Sequence, residues 1–197
     1  MPIVDSPRAR EFVHLLRERL SEQTVTHSIF TAALMTSFAA EAGITNEQAV
    51  TAGLLHDLYK DAEDATVLAT AEKWGIVPSE TQRNNPVLLH GALAAEECRQ
   101  NLGVTDPAVL EAIEWHTTGK PGLGPVGLAL YLADFAEPSR RHGAAMEARE
   151  ILRREGYRKA LLYAAQKKLE HVNSKRDTDP MTVEFHRWLV EFLGSNG

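Results

Sequence analysis

Six residues of two types carry the chemistry open to this chain: His27, His56, Asp57, His90, His116 and Asp134. Imidazole offers a neutral nitrogen donor, and a carboxylate offers two oxygens that can bridge a pair of cations. With no thiolate among them, such a set suits iron, manganese, cobalt, nickel or zinc better than calcium. His56 and Asp57 adjoin in Ala52-Gly53-Leu54-Leu55-His56-Asp57-Leu58-Tyr59-Lys60. Neighbours on a helix lie about 100° apart, so both side chains reach one point near the helix end, where other helices converge. Asp134 closes the apolar run Leu128-Ala129-Leu130-Tyr131-Leu132-Ala133. Burying a lone carboxylate there is costly, so it is expected to face a cation or a strong donor. Taken singly, each of these residues reads first as a core histidine bonded to backbone or as a carboxylate capping a neighbouring helix.

The elements that must position them are helical. A capping residue, often with proline after it, then an apolar periodic segment and a closing glycine recur along the chain. Ser6-Pro7 opens a first helix, and Ser21 caps a second that carries His27 and stops at Gly43. Thr45 and Gln48 are spaced as a capping box for a third, which holds His56 and Asp57 and ends near Lys60. A short helix is expected over 64–74, a loop over 78–84, and a helix carrying His90 from Asn85-Pro86 to Gly103. Asp106-Pro107 starts another that finishes at Trp115-His116, before the glycine-rich loop 117–124. Pro125 to Ala136, then 142–155, 157–172 and 179–193, complete an all-α bundle of about nine or ten helices, with 173–178 as a linker between helices. One domain over 1–197 is expected, its core at about 20–170 with the last helix packed on it.

Charge narrows the partners. A net charge of -6 argues against broad electrostatic capture of nucleic acid or of an anionic membrane, which needs clustered cations. Neither a signal peptide nor a long apolar run appears near the start of the sequence, so a cytoplasmic setting is expected. Cys98 is the only cysteine, which excludes an intrachain disulfide and reads as a small buried hydrophobe. His14, His142, His171 and His186 sit among charged neighbours and read as surface or helix-end residues. Arg149, Arg153, Arg154, Arg158 and Lys159 alternate with glutamates, as on a solvated helix face.

The order His, His-Asp, His, His and a late Asp resembles the HD-domain phosphohydrolases. Four segments narrow the likeness to their YqeK branch, the symmetrical bis(5'-nucleosyl)-tetraphosphatases. They are Ala52 to Asp57 with Lys60, Asn85-Pro86-Val87-Leu88-Leu89-His90-Gly91, Ala112-Ile113-Glu114-Trp115-His116-Thr117-Thr118-Gly119, and Tyr131-Leu132-Ala133-Asp134 with Glu137-Pro138 and Arg140. The resemblance covers about residues 20 to 170. It implies an HD-domain helical bundle with two divalent or mixed-valent metal ions, iron first among the candidates. It also implies hydrolysis of diadenosine tetraphosphate to two ADP by a metal-activated water. Carried over residue by residue, His27, His56, Asp57 and Asp134 hold one metal, and His90 and His116 hold the second, with Asp57 bridging. Asp57 and Lys60 take catalytic roles. Lys60, Thr117, Thr118, Gly119 and Arg140 are the expected substrate contacts, although Arg140 is equally placed to pair with Glu137.

The chain departs from that pattern at Thr24-Val25, where relatives commonly carry Arg-Tyr, and at Leu128, where they carry Lys. Both changes remove a phosphate or ribose contact and leave the metal set intact. The expected partner is a nucleotide, with a homodimer as the assembly left open. Competing readings are another HD-type nucleotide hydrolase, a non-catalytic nucleotide-binding protein and an HD-type oxygenase. Guanosine tetraphosphate hydrolases commonly show Glu-Asp two residues after His-Asp, where this chain has Lys60-Asp61.

Overall fold

The computed structural model describes residues 6–173 and 179–194. Among them are twelve α-helices and no strand. In chain order they are α1 (Pro7–Arg19), α2 (Glu22–Ser37), α3 (Ala39–Ala42), α4 (Asn46–Leu55), α5 (Asp64–Lys73), α6 (Glu80–Asn84), α7 (His90–Gln100), α8 (Pro107–Trp115), α9 (Pro125–Ala136), α10 (Gly143–Glu155), α11 (Tyr157–Asn173) and α12 (Pro180–Gly194).

Capping chemistry sets most of the boundaries. The Ser6, Ser21 and Thr45 hydroxyls accept from the backbone N–H three residues on, and Thr45 and Gln48 complete the capping box. Asp106 caps α8, with Pro107 in the first turn. The expected loop at 78–84 is instead the short helix α6, held by a second capping box between Ser79 and Gln82. The second expected helix breaks at Phe38, so α2 and α3 are separate, and α3 ends where Gly43 turns left-handed at φ 70°. These two short helices account for the excess over nine or ten. Helix α4 stops at Leu55, earlier than expected, and turns carry the chain through residues 56–61. Beyond Asn173, the expected linker at 173–178 lies outside the described residues.

A buried hydrophobic cluster runs from Ala9 in α1 to Leu189 in α12, with α9 at its centre. Every residue of α9 from Val126 to Ala136 is buried, which is why an all-round apolar helix is stable here. Two glycines set the close helix contacts on which the site depends. A Cβ on Gly53 would stand 2.5 Å from the Ala32 Cα, so α2 and α4 meet backbone to backbone. A Cβ on Gly91 would stand 2.8 Å from the carbonyl oxygens of both Ile113 and Glu114, so the start of α7 abuts the end of α8. No described helix is long and apolar enough to cross a membrane. Cys98 is fully buried, and burial pushes its thiol up to about 12, consistent with a packing role.

Candidate metal centre

The close helix contacts deliver four imidazoles and two carboxylates to one place. His27 projects from the middle of α2, His56 caps the end of α4, and Asp57 follows in the turn. His90 begins α7, after a 3-10 turn over Pro86–Leu89, and His116 caps the end of α8. Asp134 lies in the last turn of α9. All six are buried.

Each imidazole is oriented by its Nδ1. His56 Nδ1 lies 3.0 Å from the Gly53 carbonyl, and His116 Nδ1 lies 2.8 Å from the Ile113 carbonyl. His90 Nδ1 bonds the Val87 carbonyl, and His27 Nδ1 lies 3.0 Å from Glu137 Oε1. A carbonyl or carboxylate oxygen only accepts, so the ring proton sits on Nδ1 in each case and Nε2 is turned inward. The four Nε2 atoms then face one another in pairs, at 3.2 Å for His27 and His56 and at 2.9 Å for His90 and His116.

Asp57 stands between the pairs. Its Oδ2 is 3.5 Å from Nε2 of both His27 and His56. Its Oδ1 is 3.0 Å from His90 Nε2 and 3.4 Å from His116 Nε2. Asp134 Oδ1 adds a contact of 3.2 Å to His27 Nε2. Donor atoms bound at about 2.1 Å to one cation are separated by roughly 3.0 Å along an octahedral edge and roughly 3.4 Å along a tetrahedral one. The observed spacings, 2.9 to 3.5 Å, bracket those two values. Asp57 Oδ1 is moreover buried without a hydrogen-bond partner, a costly state for a carboxylate oxygen unless a cation meets it. The residues therefore fit a pair of divalent cations, one at His27, His56 and Asp57 and the other at Asp57, His90 and His116, two groups among the described residues whose donor atoms all lie within 4.8 Å of one another.

The electrostatics agree. Burial opposes ionisation of Asp57, yet His56, His116 and His90 around it hold its carboxyl well below the usual range. Burial likewise opposes the charge on Asp134, and Lys168 and Arg140 overcome it. Burial lowers His56 to about 3 and also depresses His116, which keeps both rings neutral and able to ligate. For His27, burial is outweighed by hydrogen bonds to Asp134 and Glu137, which raise it to about 9. That corner attracts positive charge, which a proton or a metal ion supplies.

Beside the centre lies a cavity of about 870 Å3, lined in part by Lys60, Thr117, Asp134, Arg140 and Lys168. Lys60 Nζ is 3.8 Å from Asp57 Oδ1. Arg140 pairs with Asp134 and not with Glu137: Nη2 donates to Asp134 Oδ1 at 2.7 Å and Nε to the Asp134 carbonyl at 2.6 Å. The Thr117 hydroxyl is 3.1 Å from His116 Nε2. Thr118 and Gly119 are not brought to this cavity. Thr118 lines a separate, smaller one, and the Gly119 N–H is already donated to the Trp115 carbonyl at 2.8 Å.

Several residues play parts that sequence patterns do not show. Glu137 is fully buried and orients His27. Its place in the segment after Asp134 was the available signal. Lys168 lies 3.1 Å from Asp134 Oδ2, and nothing in the spacing of α11 singles it out. His142 and His171 are exposed at helix ends, as their charged neighbours suggest, His142 capping α10, and both also line the mouth of the cavity. Arg149 is no solvated cation: its Nη1 donates to the carbonyls of Ala136, Glu137 and Arg140 at 2.8, 3.0 and 3.1 Å, tying off the end of α9. Of the departures, Leu128 is a core residue, and Thr24 is buried with its hydroxyl donated to Asp61 at 2.9 Å.

The profile of the HD domain family matches residues 24–140, more than half of the chain and a span that includes all six clustered residues. The chain belongs to the HD domain family. The symmetrical bis(5'-nucleosyl)-tetraphosphatase of Bacillus subtilis (strain 168) is 25% identical over 183 residues, 91% of this chain and 96% of that one. Its namesake in Staphylococcus aureus (strain NCTC 8325 / PS 47) is 24% identical over 154 residues, 78% of this chain and 79% of that one. A crystal structure described as a predicted HD superfamily hydrolase involved in NAD metabolism, from Clostridium acetobutylicum, superposes with a TM-score of 0.85 at 27% identity, covering 93% of this chain and 97% of that one. The HD domain match ends at Arg140, so α10, α11 and α12 lie beyond it.

Proposed function

We propose that this HD-domain chain is a metal-dependent phosphohydrolase of nucleotide polyphosphates, and that it cleaves diadenosine tetraphosphate symmetrically to two ADP. The observation that carries the reading is the division of Asp57 between two imidazole pairs, Oδ2 toward His27 and His56 and Oδ1 toward His90 and His116. The names of the Bacillus and Staphylococcus relatives support the substrate.

In this reading His27, His56, Asp57 and Asp134 hold one cation, and His90, His116 and Asp57 hold the second. The nitrogen and oxygen donors suit iron, the ion we propose, with manganese, cobalt, nickel or zinc as substitutes. When bound, such a pair acidifies water and offsets the charge that develops on the attacking and leaving oxygens of an in-line displacement at phosphorus. The chain's own residues do the rest. Asp57 keeps the two donor groups in register. Lys60 and Arg140 offer cationic donors to phosphate oxygens, and Arg140 presents a planar fork suited to a bidentate grip. Thr117 adds a hydroxyl beside His116. No protein nucleophile is needed. A hydrophobic cluster that reaches from α1 to α12 supports one domain over the whole chain, and a nucleotide substrate supports a cytoplasmic setting.

The test is product analysis. Protein reconstituted with iron or manganese and given diadenosine tetraphosphate is expected to release ADP alone. Equal amounts of AMP and ATP would refute symmetrical cleavage, and no turnover with any of the five metals would refute the hydrolase reading itself.

A further inference from the structure

The wall of the cavity that faces the metal centre comes from beyond the family match, and its central feature is Lys168 on α11. Its side chain is only 17% exposed. Its ammonium lies 3.1 Å from Asp134 Oδ2, 3.4 Å from the His116 carbonyl and 3.9 Å from the centroid of the Tyr131 ring. An ammonium has three N–H donors. The described residues supply two oxygen acceptors and the face of one ring, so an anion entering the cavity that Lys168 lines meets an ammonium with no third oxygen partner.

Charge counting points the same way. Asp134 carries one negative charge, and Arg140 already meets its Oδ1 at 2.7 Å. Lys168 adds a second cation to the same carboxylate, while Lys167 and Glu170 on this wall pair with each other at 2.8 Å and Lys60 lies 3.8 Å from Asp57, so the Arg140–Asp134–Lys168 group keeps one surplus positive charge at the cavity. A site for a neutral or cationic ligand has no use for that surplus. A chain of phosphates does, because each added phosphoryl group brings negative charge along the wall.

The seat of Lys168 is braced by the last helix. Tyr131, under the ammonium, lies 4.8 Å from Phe185 of α12, ring centroid to ring centroid. Phe185 fills the space beside Gly119, where a Cβ would stand 2.4 Å from its ring. Thr182 of the same helix lines the cavity. Helices α11 and α12 are thus built into the cavity and not merely packed on its outside.

We propose that Lys168 is a substrate-binding residue that contacts a phosphate distant from the scissile bond, and that through it the C-terminal helices set a preference for polyphosphate chains over a single phosphate. This rests on the phosphohydrolase reading above.

The test compares full-length, metal-loaded wild type with Lys168→Met and Lys168→Arg. Calorimetric titration with inorganic tripolyphosphate and with orthophosphate is combined with metal analysis and with KM and kcat for diadenosine tetraphosphate. Lys168→Met is expected to keep its metal content, to bind tripolyphosphate about tenfold to a hundredfold more weakly, and to lose less affinity for orthophosphate. The loss appears in KM more than in kcat, and Lys168→Arg restores most of it. If Lys168→Met fails to fold, Lys168→Gln takes its place in the same measurements. Tripolyphosphate affinity that is unchanged, that falls only together with metal content, or that falls no more than orthophosphate affinity overturns the proposal. So does a wild type that binds no tripolyphosphate. A wild type that binds tripolyphosphate through Lys168 yet leaves the dinucleotide intact sinks the functional reading and not this one.

Discussion

Glu137 Oε1 lies 3.0 Å from His27 Nδ1 and also accepts from the Ser139 hydroxyl, while the Ser139 backbone N–H donates to Oε2. The glutamate is fully buried, so little solvent screens its charge from the imidazole. A carboxylate behind a ligating histidine fixes the ring and raises its basicity. Glu137→Gln is therefore expected to weaken metal binding about tenfold to a hundredfold. Competition against a chelator of known affinity measures this, and an unchanged affinity would show that Glu137 has no part in orienting His27.

Gly53 gives a prediction about architecture. An added Cβ would meet Ala32 backbone atoms at 2.5 and 2.6 Å, and backbone cannot swing aside. Gly53→Ala is expected to cost about 1–3 kcal/mol as an overpacked contact. In a chain of this size each kcal/mol lowers Tm by about 2–4 °C. The shift of α4 away from α2 also separates His56 from His27, so metal affinity falls with Tm. Gly143→Ala is the control, because nothing lies within 4 Å of the added carbon. Equal melting temperatures for the two variants would contradict the account.

Metal removal should be visible in stability. Two cations that bind only the folded chain raise its stability by mass action. The chelated protein is expected to melt several degrees lower, and readdition of iron or manganese restores the Tm. Asp57→Asn, which removes the charge shared by both donor groups, is expected to abolish that restoration. Full restoration in Asp57→Asn would exclude Asp57 as a shared ligand.

Much of this is legible in the sequence, for definite reasons. The helix starts at Ser6, Ser21, Thr45 and Asp106 rest on local hydrogen bonds, which a sequence states directly. The six clustered residues stood out because four imidazoles and two carboxylates, each ambiguous alone, stand in the order that resembles the HD-domain set. What escaped was governed by contacts far apart in the chain. Lys168 reaches Asp134 across 34 residues, and Glu137 reaches His27 across 110. His142 and His171 are exposed, as their neighbours suggest, but only the fold shows that they border the cavity. The roles of Gly53 and Gly91 are equally invisible until the opposing backbones are in place. Helix α6 was missed although Ser79 and Gln82 carry the same capping signal as Thr45 and Gln48, because no apolar periodic segment follows it.

The shared role of Asp57 is tested most directly by diffraction from crystals grown with iron or manganese, recorded on either side of the metal's absorption edge. The account predicts two anomalous peaks, one among His27, His56 and Asp134 and one between His90 and His116, with an oxygen of Asp57 directed at each. A single peak, or two peaks that Asp57 does not join, would contradict it.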